Sequence, residues 1–149
     1  MNSSIHNDID VQELISIFKL FPDVFPKGYF AHLKSNLIKK IYNNELIYKD
    51  QVLITFKQYK RQTVFGDYSA TKGDYAIEQI VNKTPGNGNA QKVLNYFFST
   101  LPTNSNIWLS VRQDNPRAIN FYKKNGFDIL TSKTWSNGTI NGFLMLKKI

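Results

Sequence analysis

Apolar residues recur along the chain first at helical and then at strand spacing, and their order predicts a layered α/β (α+β) protein. Val11, Leu14, Ile15 and Phe18 form one stripe of a first helix. Asp10 is placed to cap that helix and Glu13 to complete a capping box, while Ser3 to His6 read as a short strand before it. The segment FPDVFPKGY, with two prolines and a glycine, breaks the helix, and Phe21 and Phe25 within it read as core anchors. Phe30, Leu33, Leu37 and Ile41 make the stripe of a second helix. A strand, a turn near Asp50 and a second strand follow over 45–49 and 51–60. In the second strand, Val52, Ile54 and Phe56 alternate with Thr55, Lys57 and Tyr59, as a half-buried strand should. Residues 61–74 show no clean period and read as a long loop or irregular hairpin.

From Asp74 the pattern becomes strand, helix, strand, helix, hairpin. Residues 74–81 are a strand, and Ala90, Val93, Leu94, Phe97 and Phe98 are one face of the helix after it. Between the two lies Pro85-Gly86-Asn87-Gly88-Asn89-Ala90. A turn of this kind permits positive φ and close backbone approach, and it aims free N–H groups at one point where an anion can sit. Alone, it serves equally as a plain turn. It is neither a Walker A loop nor a full dinucleotide fingerprint. A strand over 106–112 completes a strand-helix-strand unit that implies parallel neighbours, with ligands expected at their C-terminal ends. Next, Asn115 reads as an N-cap, Pro116 as the first helical residue and Gly126 as the stop. Asn115, Ala118 and Tyr122 share one face of that helix. Strands over 127–134 and 140–147 are joined through an Asn137-Gly138 turn.

Composition narrows the chemistry. The 149 residues include no cysteine, which removes disulfides, thiolate metal sites and a cysteine nucleophile. His6 and His32 have no identifiable partner, and no metal-ligand spacing occurs. No run approaches the roughly 18 apolar residues of a membrane span, and the first ten residues have no basic leader, so a cytoplasmic protein is expected. The net charge of +8 is uneven: beyond Glu78 the only acids are Asp114 and Asp128, against nine lysines and arginines. A phosphate-rich cofactor and a nucleic acid would both suit that excess, as would a merely solvated basic surface.

With both segments in place, the chain resembles the GNAT family of acyl-CoA-dependent N-acyltransferases. The family's strand, Arg/Gln-x-x-Gly-x-Gly/Ala turn and helix fall on residues 85–94, and its Asn, Ala, Tyr and Gly-Phe signature falls on Asn115, Ala118, Tyr122, Gly126 and Phe127. Pro85 departs from the pattern, because it stands where the family has Arg or Gln and lacks both a side-chain donor and a backbone N–H. The resemblance covers the C-terminal half by motif and the remainder by element order.

The resemblance implies a single domain over 1–149, a mixed, mostly antiparallel twisted sheet split in a V between two central parallel strands, and four helices. It implies acetyl-CoA as co-substrate, with its pyrophosphate on Gly86, Asn87, Gly88, Asn89 and Ala90 and charge from Lys83 or Lys92. It also implies cofactor contacts at Asn115, Ala118 and Tyr122, and a strand bulge near Ile80 and Val81 that leaves an N–H free for the thioester carbonyl. Tyr122 would protonate or hydrogen-bond the departing thiolate, against the alternative of a tyrosine that only packs. Asp74 and Glu78, four residues apart on one strand, are the candidate general bases. Direct attack by an amine in a ternary complex is the expected route. The acceptor is a small molecule, protein or peptide amine, with a nucleic-acid-borne group or a non-catalytic CoA- or nucleic-acid-binding module as alternatives, on a monomer or homodimer. Its pocket is expected from residues 21–29, 61–73 and 135–139, with Tyr29, Phe65, Tyr68 and Trp135 supplying aromatic surface.

Overall fold

The computed structural model describes residues 9–149; the strand expected over Ser3 to His6 lies outside them. In order the elements are α1 (Val11–Phe18), a 3-10 helix (Lys27–His32), α2 (Leu33–Tyr42), β1 (Leu46–Lys49), β2 (Val52–Gln58), β3 (Thr63–Phe65), β4 (Tyr68–Ala70), β5 (Tyr75–Asn82), α3 (Asn89–Ser99), β6 (Asn106–Arg112), α4 (Pro116–Lys124), β7 (Asp128–Trp135) and β8 (Ile140–Lys148). Six strands hydrogen-bond in the order β1-β2-β5-β6-β8-β7, and β3 with β4 forms a separate hairpin. The irregular stretch predicted over 61–74 is therefore a short antiparallel hairpin turning at Gly66. The chain falls into two compact units, one of residues up to Phe56 with Gln79–Thr100, the other of Lys57–Glu78 with Leu101–Ile149.

The first unit is built on the two helices that the apolar stripes predict. Leu14, Ile17 and Phe18 of α1 pack with Leu33, Leu37 and Ile41 of α2 and with Leu53 and Val81. Ile17 takes the buried place expected for Ile15, which is only partly buried. Phe21 and Phe25 lie against this cluster as expected, with the Phe25 ring 4.8 Å from Phe18 in an edge contact. Asp10 caps α1 by accepting from the Gln12 N–H at 2.9 Å. The capping box is not completed in the expected way, because the Glu13 carboxylate bonds the Tyr48 hydroxyl.

β2 is buried more deeply than its alternation predicts. Val52, Leu53, Ile54 and Thr55 are all buried, since helices cover both faces: Leu53 joins the α1–α2 cluster, and the Phe56 ring lies tilted at 4.6 Å from Phe97 of α3. Thr55 tolerates this by donating to Gln79 Oε1 at 2.7 Å. At the β1–β2 turn, Asp50 and Gln51 have φ of 50° and 63°, the paired left-handed geometry of a two-residue hairpin.

In the second unit, β6 pairs antiparallel with β8 along its whole length, from Asn106↔Lys148 to Arg112↔Gly142. Its parallel register with β5 covers Tyr75↔Ile107 and Ala76↔Trp108 and does not continue through Ile77 and Glu78. The β7–β8 hairpin turns through Asn137 and Gly138, with φ of 57° and 81° and the Thr139 N–H donating to Ser136 O at 3.2 Å.

Three phenols make stability depend on alkaline pH, Tyr59 among them, raised by burial and then by the charges of Glu78 and Asp74. Burial, then the Glu13 carboxylate, pushes Tyr48 up to about 12, and burial alone pushes Tyr122 up to about 12. A phenol raised above its unfolded value of about 10 contributes stability that is fully present below that value and is lost as pH rises through the folded one. Urea midpoints should hold steady to near pH 10 and fall toward pH 12, and Tyr48→Phe should flatten part of that fall. An unchanged midpoint across this window would contradict it.

Candidate functional site

The glycine turn closes the first unit. Gly86 and Gly88 have φ of 89° and 80°, a left-handed backbone that L side chains rarely adopt. A Cβ built at either residue meets no atom within 4 Å, so backbone conformation and not crowding requires glycine here. Gly88 caps α3 without a side chain. The cap is supplied by its neighbour: Asn87 Oδ1 accepts from the Asn89 N–H at 2.9 Å. The Asn87 amide also donates to Thr84 Oγ1, and Asn82 Oδ1 accepts from the Thr84 N–H at 3.1 Å. Two carbonyls of the β1–β2 turn brace the loop, Gln51 O accepting from the Lys83 N–H at 3.0 Å and Asp50 O from Asn89 Nδ2 at 3.2 Å.

This arrangement alters the expected donor set. Asn89 is not a free donor, because its N–H is already bonded. Among the described residues the N–H groups of Asn87, Gly88 and Ala90 have no acceptor, and the segment from Lys83 to Gly88 is exposed. Three N–H groups at a helix start remain for an anion. Lys83 and Lys92 are exposed nearby in sequence. Ile80 is partly buried at the end of β5, and Val81 is 4% exposed within the α1–α2 cluster.

In the second unit, α4 is fixed at both ends as its sequence predicts. Asn115 accepts from the Ala118 N–H at 3.1 Å, with Pro116 following. At the other end the Gly126 N–H donates to Lys123 O at 3.1 Å and the Phe127 N–H to Tyr122 O at 3.0 Å, the double bond of a Schellman stop around Gly126 at φ 91°. The hydrophobic contact of that motif is Tyr122 on Phe127, ring centroids 5.7 Å apart in an edge contact. Tyr122 is therefore held by its own helix stop. Among the described residues its hydroxyl makes no hydrogen bond, and the raised phenol is protonated throughout the neutral range. Ala118 is partly buried on the same helix.

The two candidate bases separate. Asp74 precedes β5 and is 7% exposed. Its carboxylate accepts from Trp108 Nε1 at 2.9 Å, the Thr71 N–H at 2.8 Å and Asn106 Nδ2 at 3.3 Å. A carboxylate that accepts from three donors braces the core. Glu78, by contrast, is exposed on β5. Burial first, then the charges of Glu78 and Asp74, raise the phenol of Tyr59. Asp74→Ala should lower stability by about 1–3 kcal/mol, since it strands buried donors, and denaturant melts of that variant check the effect. Unchanged stability would return Asp74 to the list of free bases.

Of the aromatics expected around the acceptor, Tyr29 packs on Phe25 at 4.9 Å and on Phe18 at 5.9 Å in the first unit. Phe65, Tyr68 and Trp135 belong to the second unit. The Tyr68 hydroxyl donates to Leu130 O at 3.3 Å, and Phe65 lies 5.6 Å from Trp108. Sequence reasoning missed Lys133 and Ser110, which are bonded to each other at 3.1 Å beside these rings. It also missed Asn82, Thr84, Asp50 and Gln51 as supports of the glycine turn. Among the described residues no cluster of His, Cys, Asp and Glu is suited to a metal, and no helix is long and apolar enough to cross a membrane.

No protein-family profile matches the sequence, and no curated protein is similar to it in sequence. The structure is nevertheless similar to solved ones. Naa20 of Chaetomium thermophilum, in complex with a bisubstrate analogue, aligns at a TM-score of 0.69 and 14% identity over 95% of this chain and 84% of that one. A GNAT-family acetyltransferase of Streptococcus agalactiae aligns at 0.70 and 10% identity over 93% and 90%. Naa50 of Arabidopsis thaliana, in complex with the bisubstrate analogue CoA-Ac-MVNAL, aligns at 0.64 and 21% identity over 95% and 95%. At these identities the likeness is one of fold: the chain has the fold of the GNAT acetyltransferases.

Proposed function

We propose that this GNAT-fold chain, acting as one domain over 1–149, is an N-acetyltransferase that moves the acetyl group of acetyl-CoA to an amine. The carrying observation is the braced glycine turn, which leaves the N–H groups of Asn87, Gly88 and Ala90 without acceptors at the start of α3. They suit a pyrophosphate, whose oxygens accept from several N–H groups at once. Lys83 or Lys92 adds charge in place of the side chain that Pro85 lacks. The three solved structures support the assignment through their shared fold and, for two of them, through bound bisubstrate analogues.

The chemistry follows in one step. The amine nitrogen bonds to the thioester carbonyl carbon, the C–S bond breaks, and the products are an N-acetyl amine and a CoA thiolate that takes its proton from solvent. A backbone N–H of Ile80 or Val81 stabilises the carbonyl oxygen as charge develops. Glu78, exposed on β5, accepts the amine proton through water, while Asp74 braces the core through Trp108, Thr71 and Asn106. The leaving sulfur is the task of Tyr122, whose packing on Phe127 leaves its hydroxyl without a partner. With its phenol near 12 and an ordinary thiol near 8.5, complete transfer is uphill in the resting environment. Tyr122 therefore acts first as a hydrogen-bond donor to the developing thiolate, and Asn115 with Ala118 places it. With no cysteine in the chain, transfer is direct and no acyl-cysteine forms.

Release of free thiol from acetyl-CoA, screened over amines, peptides and aminoacyl-tRNA, tests this. Amine-dependent release supports it, and binding of acetyl-CoA without release from any acceptor would favour a non-catalytic CoA-binding module. Exposed Lys83, Lys92, Arg117, Lys123 and Lys124 keep a nucleic-acid-borne acceptor in view. Its signature is tRNA binding that weakens steeply as salt is raised, through counterion release; no binding in a filter assay at low salt would remove it.

A further inference from the structure

Within the second unit, Lys133 of β7 is half-buried with its ammonium 5.7 Å from the Phe65 ring centroid and 5.8 Å from that of Trp135. An ammonium has three donors. One goes to Ser110 Oγ at 3.1 Å, and no carboxylate of a described residue pairs with it. Two features make this a built arrangement. Gly142 on the neighbouring strand is where the Trp135 ring lies: a Cβ there would come within 2.4 Å of Trp135 Cη2 and Cζ3. Phe65 in turn is fixed on Trp108, whose indole N–H is held by Asp74. Ser110 sits on β6 two residues past Trp108, where the parallel register with β5 has ended.

We infer that Lys133, flanked by Phe65 and Trp135, is a specificity-determining residue that recognises a carboxylate on the acyl acceptor. This rests on the acetyltransferase reading and goes beyond it by naming the acceptor's chemistry. Rings 5.7 and 5.8 Å from the ammonium take the place of part of its water shell, so an anion reaching the two remaining N–H donors gains more than it would at an open surface lysine. The β3–β4 hairpin and the β7–β8 hairpin supply the rings, and β6 supplies the hydroxyl that sets the ammonium's direction. A neutral acceptor leaves that cation without a counter-charge.

The test uses amine acceptors in matched pairs, a Glu- and a Gln-containing peptide of otherwise identical sequence with the pair placed at each of the first three positions, read by thiol release. The wild-type chain should favour the carboxylate member by about 10- to 100-fold in kcat/KM at one position, the range expected for a charge-assisted hydrogen bond. Lys133→Met keeps the stem between the rings and should bring that ratio to near unity through KM, with acetyl-CoA affinity unchanged. Lys133→Arg should restore most of it. A wild-type ratio near unity at every position, or a ratio that survives in Lys133→Met, overturns the proposal while leaving acetyl transfer intact. Absence of acetyl-CoA binding by the wild-type chain removes the acetyltransferase reading and this proposal with it.

Discussion

Tyr122→Phe should release thiol roughly 10²–10³-fold more slowly than the wild-type chain, the range for losing a preorganised hydrogen-bond donor to developing charge. The ring stays, so its edge contact on Phe127 and the double hydrogen bond around Gly126 stay with it. The hydroxyl has no partner among the described residues to lose, and denaturant melts near neutral pH should therefore match. A phenol that remains protonated until about 12 also predicts the shape of the pH profile. Activity should rise with deprotonation of the amine and show no falling limb from Tyr122 below pH 10. Full activity in the variant would leave Tyr122 as the hydrophobic partner of a helix stop.

Gly88→Val should abolish measurable acetyl-CoA binding while the domain remains folded. At φ 80° a β-branched residue is strained, and the backbone there relaxes only by turning its N–H and those of Asn87 and Ala90 away from their common direction. The site is exposed and a Cβ meets nothing, so the cost falls on the turn and leaves the core unaffected. Calorimetry showing wild-type affinity would remove the turn from the cofactor site. Asn87→Ala is a milder companion, since it removes the cap on the Asn89 N–H and the bond to Thr84 but leaves all three free donors in place.

What was legible in the sequence was what is written locally. The helix over 116–124 carries its cap, its first-turn proline and its glycine stop within twelve residues, and each behaves as its chemistry requires. The glycine turn was legible for the same reason. What was not legible depended on partners far along the chain. Asp74 looked like a strand carboxylate available for catalysis, but Trp108, thirty-four residues on, takes it into the core. Thr55 looked solvent-facing because a hydroxyl usually is, and Gln79 allowed it to be buried. Asn89 looked like a free donor until the Asn87 side chain bent back onto it. Lys133 was indistinguishable from any surface lysine until two hairpins placed Phe65 and Trp135 beside it.

The central claim is that this chain uses a phosphate-bearing acyl thioester, and a pair of calorimetric titrations tests it most directly. Acetyl-CoA should bind with one site per chain, and acetyl-pantetheine, which offers the same thioester without the pyrophosphate, should bind far more weakly because the Asn87, Gly88 and Ala90 N–H groups have nothing to hold. Equal affinity for the two, or no heat with either, would contradict it.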